Sequence, residues 1–270
     1  QVDKWALYDI ARWCDVMVPD GEGGMQPRHT LNVYINTAQD AWRILGDLAS
    51  VFNGVSYWNG EQLEVQADTL RDAEYEFTMA NIVDGVIEYS SIARKDKYSQ
   101  IAVKYDDPDN EFQTDTVAVN DLSMTRRFGV VQSQMAAFGC TNRAEAQRKG
   151  KWALISNKYD RSATWKTGLD GYVPKVGSVV RIADNALAGA AIGGRVKLTV
   201  DDAIQLDRAP RAQVGDKLNI NMPGGKSQQR TLTVVDGDMV RVDTPYTDAV
   251  RAGSQWSVDA TDLAGQLFKI

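Results

Sequence analysis

The chain has 270 residues, 43% of them hydrophobic and 24% charged, with a formal net charge of -6. That length holds one large domain or two to three small ones, with ordinary globular composition and enough apolar material for real cores. The acidic balance argues against nonspecific nucleic-acid binding, no apolar run approaches the ~20 residues that span a bilayer, and no signal peptide is legible.

The chain opens Gln-Val-Asp and closes on Gly265–Ile270, which reads as a strand cut short. Both ends are expected of a segment excised from a longer protein. Asp3 is placed to cap a first helix whose apolar stripe is Leu7, Ile10, Ala11 and Cys14. The helix stops before Pro19, and Asp20–Gly24 is a loop. Leu31, Val33 and Ile35 alternate as a strand. Thr37, with Asp40 three residues on, resembles a capping box opening a second helix that buries Ala38, Ala41, Trp42, Leu45, Leu48 and Phe52. Asn53-Gly54 ends that helix with Gly54 in the left-handed conformation. Asn59-Gly60 is the tip of a hairpin with a type I′ turn, and its second strand carries Leu63 and Val65.

Up to residue 94 the pattern is mixed α/β; beyond it the chain is β-rich. Ile101, Val103 and Tyr105 alternate, Asp106–Asn110 turns, and Val117 and Val119 alternate again. A helix over 141–157 follows, with Thr141 as N-cap and Ala144, Arg148, Trp152 and Ile155 on one face. Ala163, Trp165 and Thr167 then alternate as a strand, Pro174 and Gly177 punctuate, and Val179–Ile182 is a further strand. The Gly-rich segment Gly189–Gly194 closes this stretch. From Arg195 and again from Arg230 the chain repeats strand, Asp-containing turn, strand, Asp and Pro, then Gly and a third strand. Two copies are too few for a solenoid, so two three-stranded halves packed as a small barrel or sandwich are expected over 195–262. Leu263–Ile270 resumes a strand without a partner in the repeat, which makes that module an insertion.

The chain lacks an evident catalytic constellation. A Ser-His-Asp or Cys-His site would have to use His29, the single histidine. It sits in Pro-Arg-His-Thr with no nucleophile signature nearby and reads as a surface or edge-strand residue. Cys14 and Cys140 define no disulfide framework and read as small buried hydrophobes. One His and two distant Cys do not make a zinc site. Pro223-Gly-Gly-Lys-Ser227 has the tail of a phosphate loop, but Ile220 stands where the first Gly belongs, so it reads as a β-turn. Asp106-Asp107-Pro108-Asp109-Asn110-Glu111 has calcium-type oxygens without EF-hand order and reads as a solvated connection. A glycosidase carboxylate pair stays open, though nothing singles out two residues. Trp5, Trp13, Trp42 and Trp152 fall on helices, with Trp42 and Trp152 expected in the core, and Trp58, Trp165 and Trp256 fall in strands. No catalytic, cofactor or metal residue is assigned.

Several long, ordered stretches carry a resemblance: DGEGGMQPRHTLNVYI (20–35), ASVFNGVSYWNGEQLEVQAD (49–68), NIVDGVIEYSSIARKDKYSQIAVKYDDPDNEF (81–112), FGCTNRAEAQRKGKWAL (138–154), the Pro-x-x-Gly turn before VVRIAD, and AGAAIGGRV (188–196). They resemble the central part of the lambda-type phage host-specificity protein J family, which builds a hub at the tail tip. The repeat module matches more loosely. The resemblance implies an α+β fold like that of a baseplate hub. Its parts are a mixed α/β hub domain over 1–94, a β-barrel-like hub domain over 95–194 resumed at 263–270, and an inserted all-β module over 195–262. It implies a homotrimer joined to other tail-tip proteins, made in the bacterial cytoplasm and placed at the virion tail tip. Tail-tip assembly, host attachment and DNA passage would follow, with no cofactor and no catalytic residues. The family's receptor contact lies in a C-terminal part with no counterpart here, so a host receptor would be met only through regions absent from this chain. A cell-surface carbohydrate-binding module and a cell-wall or polysaccharide hydrolase are the rival readings.

Overall fold

A computed structural model describes residues 2–36, 40–184, 193–200, 203–259 and 266–270. In chain order the elements begin with helix α1 (Lys4–Cys14), strands β1 (Met17–Pro19) and β2 (Met25–Pro27), and helix α2 (Ala41–Val51). Strands β3 (Val55–Trp58), β4 (Leu63–Gln66), β5 (Tyr75–Thr78), β6 (Ile82–Ser90), β7 (Gln100–Asp107) and β8 (Gln113–Asn120) follow. Helix α3 (Leu122–Phe128), strand β9 (Gln132–Ala136), helix α4 (Arg143–Lys158) and strands β10 (Ser162–Thr167) and β11 (Val179–Ala183) complete the central part. The last strands are β12 (Gly193–Val200), β13 (Ala203–Leu206), β14 (Lys217–Asn221), β15 (Ser227–Asp236), β16 (Met239–Val242), β17 (Gln255–Asp259) and β18 (Gln266–Lys269).

These elements pack as two compact units, Gln1–Thr69 with Ser91–Arg161, and Leu70–Ser90 with Ser162–Ile270. In the first, α4 lies on a sheet of order β8-β7-β9, with β7 and β8 antiparallel and β9 parallel to β7. Ile101, Val103, Val117 and Val119 from the sheet meet Ala146, Ala153 and Leu154 from the helix in one apolar cluster. The helix comes this close because Gly150 has no side chain: a Cβ there would sit 2.8 and 2.9 Å from the Val119 and Val103 methyls. Both of those side chains are β-branched and stiff. The buried stripe of α4 is therefore Ala146, Lys149, Gly150, Ala153, Leu154 and Asn157. The expected face was turned away from this one: Ile155 is exposed and Trp152 is 36% exposed.

Several local expectations are corrected. Helix α4 is capped by Asn142, whose side chain accepts from the amides of Ala144 and Glu145, and not by Thr141. Asp3 caps α1 as its sequence suggests, but only Ile10 of the expected stripe is fully buried. Asp40 itself is the N-cap of α2; Thr37 and Ala38 lie outside the described residues. Past α2 the left-handed residue is Asn53 (φ 56°), while Gly54 is needed for space, since a Cβ would meet the Phe52 ring and the Gln66 carbonyl. The β3–β4 hairpin has a four-residue connection instead of a two-residue turn: the Asn59 side chain accepts from the amides of Glu61 and Gln62, and only Gly60 takes positive φ. Residues 31–36 form no strand. Trp42 is 55% exposed and so is not core.

In the second unit β5 and β18 flank β11, parallel and antiparallel respectively. The chain leaves β11, builds a closed barrel of order β12-β13-β16-β15-β14-β17, and returns as β18 to pair with β11. Leu263–Gly265, and the part of the Gly-rich segment before Gly193, lie outside the described residues. Val196, Leu206, Leu218, Ile220, Leu232, Val240, Trp256 and Val258 fill the barrel.

The repeat is structural as well as sequential, but its register is one residue off the Arg195–Arg230 alignment. Asp207 donates its amide to the Arg195 carbonyl and Asp243 to that of Thr231, both at 2.9 Å. The Gly215 amide donates to Leu232 and the Gly253 amide to Val196, both at 2.8 Å. The ladder irregularities at Val196/Leu198 and Leu232/Val234 correspond as well. The halves also interleave: β14 pairs with β15 and β17 of the second half, and β17 with β12 and β14 of the first.

Candidate functional site

The residues with chemical potential are spread over both units. In the first, His29 is largely covered and not a surface residue: its ring lies 5.1 Å from that of Trp13, and its Nδ1 is 3.5 Å from Glu145 Oε1. That distance is too long for a strong hydrogen bond. Glu145 sits in the first turn of α4, where a carboxylate complements the helix dipole. It accepts from the Thr30 amide and, at 2.7 Å, from the Thr30 hydroxyl. Burial pushes its carboxyl up, but His29 and Thr30 outweigh that and hold it below its ordinary value. Arg28 stacks over Trp13 at 4.8 Å, and Arg148 Nη2 donates to the Arg28 carbonyl. The cluster ties the segment after β2 to α4. Cys14 and Cys140 are free thiols, and burial pushes both up, away from nucleophilic character.

The acidic turn is a β7–β8 connection in which carboxylates bond locally: Asp107 accepts from the Asp109 amide and Asp106 from the Thr114 hydroxyl. Among the described residues no group of three His, Cys, Asp or Glu side chains is arranged to hold a metal ion. Pro223–Ser227 is the β14–β15 turn, closed by the Gly225 amide on the Met222 carbonyl. Of the tryptophans, Trp256 is buried with its indole N–H on Asp207, and Trp165 packs against Phe77. Trp152 donates to Asp68, while Trp5 and Trp58 are exposed.

The most densely built polar site was not singled out by sequence reasoning. It lies within the second unit, where β5 meets barrel strands β14 and β17. Strands β14 and β17 alternate: Leu218, Ile220, Trp256 and Val258 point into the barrel, while Asn219, Asn221, Gln255 and Ser257 face outward, yet all are buried. Gln255 is the hub of the network. Its Oε1 accepts from Tyr75 OH, Asn81 Nδ2 and Asn221 Nδ2 at 2.9–3.0 Å, and its Nε2 donates to Asp170 Oδ2 at 2.9 Å. Asn221 also donates to the Glu76 carbonyl, and Ser257 Oγ donates to the Glu76 carboxyl. Beside it, Arg181 pairs with Asp259, which also accepts from Gln229. Burial pushes the Glu76 carboxyl up to about 7, against the opposing pulls of Ser257 and Arg181. A cleft of about 270 Å³ opens beside this network, bordered by Tyr75, Asp170, Asn221 and Gln255. The legible signal was the composition of KLNIN and QWSVD: a strand whose outward residues are amides and hydroxyls, not Lys or Glu, has its second face covered.

The chain is an α+β protein with a closed six-stranded barrel between two paired strands, seated on hydrogen-bonded side chains. The profile of the family described as "Putative phage tail protein" matches residues 40–199. That is more than half of the chain, which therefore belongs to this family. The chain is similar to "Tip attachment protein J" of Escherichia phage SECphi27, 36% identical over 275 residues, covering 100% of this chain and 23% of that protein. It is similar also to "Tip attachment protein J" of Escherichia phage SECphi4, 32% identical over 274 residues, covering 100% of this chain and 24% of that protein. The chain thus spans about a quarter of the length of the curated relatives it matches. A protein in the virion of a native gene transfer agent particle aligns over 76% of this chain and 40% of its own, with 14% identity and a TM-score of 0.41. Prophage tail protein gp18 from Listeria monocytogenes EGD-e aligns over 76% of this chain and 53% of its own, with 8% identity and a TM-score of 0.32. No helix among the described residues is long and apolar enough to cross a membrane.

Proposed function

We propose that this chain is a structural and assembly module of a phage tail tip: a hub segment that associates as a homotrimer, joins neighbouring tail proteins and frames the path for DNA. The observation that carries the reading is the match of the whole chain to two tip attachment proteins at 36% and 32% identity. Exposed aromatics support it. Trp5, Tyr8, Trp42 and Trp58, all in the first unit, are 69, 56, 55 and 52% exposed. Aromatic side chains are enriched at protein interfaces, where burial repays their exposure in the free subunit. Contact with a host receptor belongs to parts of the longer protein outside this chain. We read residues 195–262 as an inserted module, because β11 and β18 pair directly across it. The role is mechanical, and no residue here is assigned to catalysis.

Light scattering over rising concentration tests the self-association. The chain has a mass of 29.8 kDa, so a trimer has three times that, 89.4 kDa. A mass approaching the trimer value supports the reading; 29.8 kDa at every concentration overturns self-assembly by this segment.

A further inference from the structure

We propose that the cleft beside the Gln255 network binds one unit of a neutral, hydroxyl-rich ligand, a single sugar ring or a polyol of that size. The inference stands apart from the tail-tip reading, which survives its failure. Its basis is the chemistry of the lining.

Asn221 is 7% exposed and lines the cleft. Its Nδ2 is committed to the Glu76 carbonyl and Gln255 Oε1, which fixes the orientation of the amide. Its Oδ1 is buried and accepts no hydrogen bond from any described residue. A buried acceptor without a donor is costly, so the site favours a ligand that donates. Asp170, also on the lining, receives Gln255 Nε2 on one oxygen. A carboxylate has further lone pairs for additional donors. Val173 and Pro223 supply apolar surface to the lining. Acceptors and apolar groups in one lining complement a sugar, with its hydroxyl rim and C–H face.

Other ligand classes fit less well. An anion would meet the Asp170 carboxylate, and the one cation of the lining, Arg195, already donates through Nη1 to Gly253 O and through Nη2 to Ala80 O. A metal ion would find one carboxylate. An apolar molecule would seal the remaining lone pairs of Asp170 away from water. The volume of about 270 Å³ lies just below the usual range for small-molecule sites and limits the ligand to about one ring.

The test is saturation-transfer NMR on the 270-residue chain with glucose, galactose and N-acetylglucosamine, each as the free sugar and as the methyl glycoside. Inorganic phosphate and cyclohexanol are the comparison probes. The expected result is transfer to ring protons of at least one sugar, with affinity reduced at least tenfold in Val173→Trp, which fills the cleft without removing a polar group. Asp170→Ala is expected to do the same with an unchanged circular dichroism spectrum. Binding of a methyl glycoside identifies the terminal residue of a glycan as the source, and binding of free sugars alone identifies a soluble sugar. No transfer to any sugar, transfer undiminished in Val173→Trp, or tighter binding of phosphate or cyclohexanol overturns the proposal.

Discussion

Glu76 is a buried carboxylic acid whose titration couples stability to pH. It is 2% exposed, and burial pushes its carboxyl from 4.5 up to about 7. Below pH 4.5 the carboxyl is neutral in the folded and unfolded chain alike. Between 4.5 and 7 the unfolded chain has released the proton that the folded chain still holds, so stability falls as pH rises through that window and levels off above it. At 1.36 kcal/mol per pKa unit, the loss from this group is about 3 kcal/mol. Glu76→Gln keeps an acceptor for Ser257 and removes the titration. Urea unfolding at several pH values is expected to show this component in the parent chain and not in the variant; an equal slope in both contradicts it. The alternation in KLNIN and QWSVD was legible in the sequence, and so was which half of it fills the barrel. That the polar half is covered by β5, placing Glu76 against Ser257, depends on contacts some 180 residues apart and has no local signature. Trp42 and Trp152 misled for the same reason: helical spacing marks an apolar face, but only the neighbouring element decides whether it is covered.

Helix α4 shows what local chemistry does and does not fix. Its existence and length followed from helical spacing, and its start was misplaced by one residue because Thr141 and Asn142 are both good caps. In the structure Asn142 caps the backbone and also donates to Gln26, while Thr141 accepts from Asn32. Asn142→Ala is therefore expected to cost about 1 kcal/mol or somewhat more, and Thr141→Ala clearly less, in chemical denaturation. The reverse order would restore the sequence-based cap. The buried face of α4 was hidden because it is polar and small: Lys149, Gly150 and Asn157 are not residues a periodicity search scores as apolar. Gly150 in particular reads as a weak point of a helix, whereas here it sets how closely α4 approaches β7 and β8. Short elements were the least legible. Helix α3 and strand β9 lack strong periodicity, and β9 exists because it pairs with β7.

At the scale of the molecule, the barrel was legible as a repeat, but its connectivity was not. Each half lends its third strand to the other, so neither half closes a sheet alone. The return of β18 to β11 puts the barrel, along the chain, between two neighbouring strands of one sheet, and the outward polar faces of β14 and β17 bond it to β5 of that sheet. The first unit carries the exposed tryptophans Trp5, Trp42 and Trp58. These features, with a match that covers the chain end to end, converge on assembly into a larger particle. Immunogold electron microscopy, with antibodies raised against this chain and applied to phage particles that carry it, tests that claim most directly. The account predicts gold at the distal end of the tail. Label confined to the head, or particles with intact tails and no label anywhere, would contradict it.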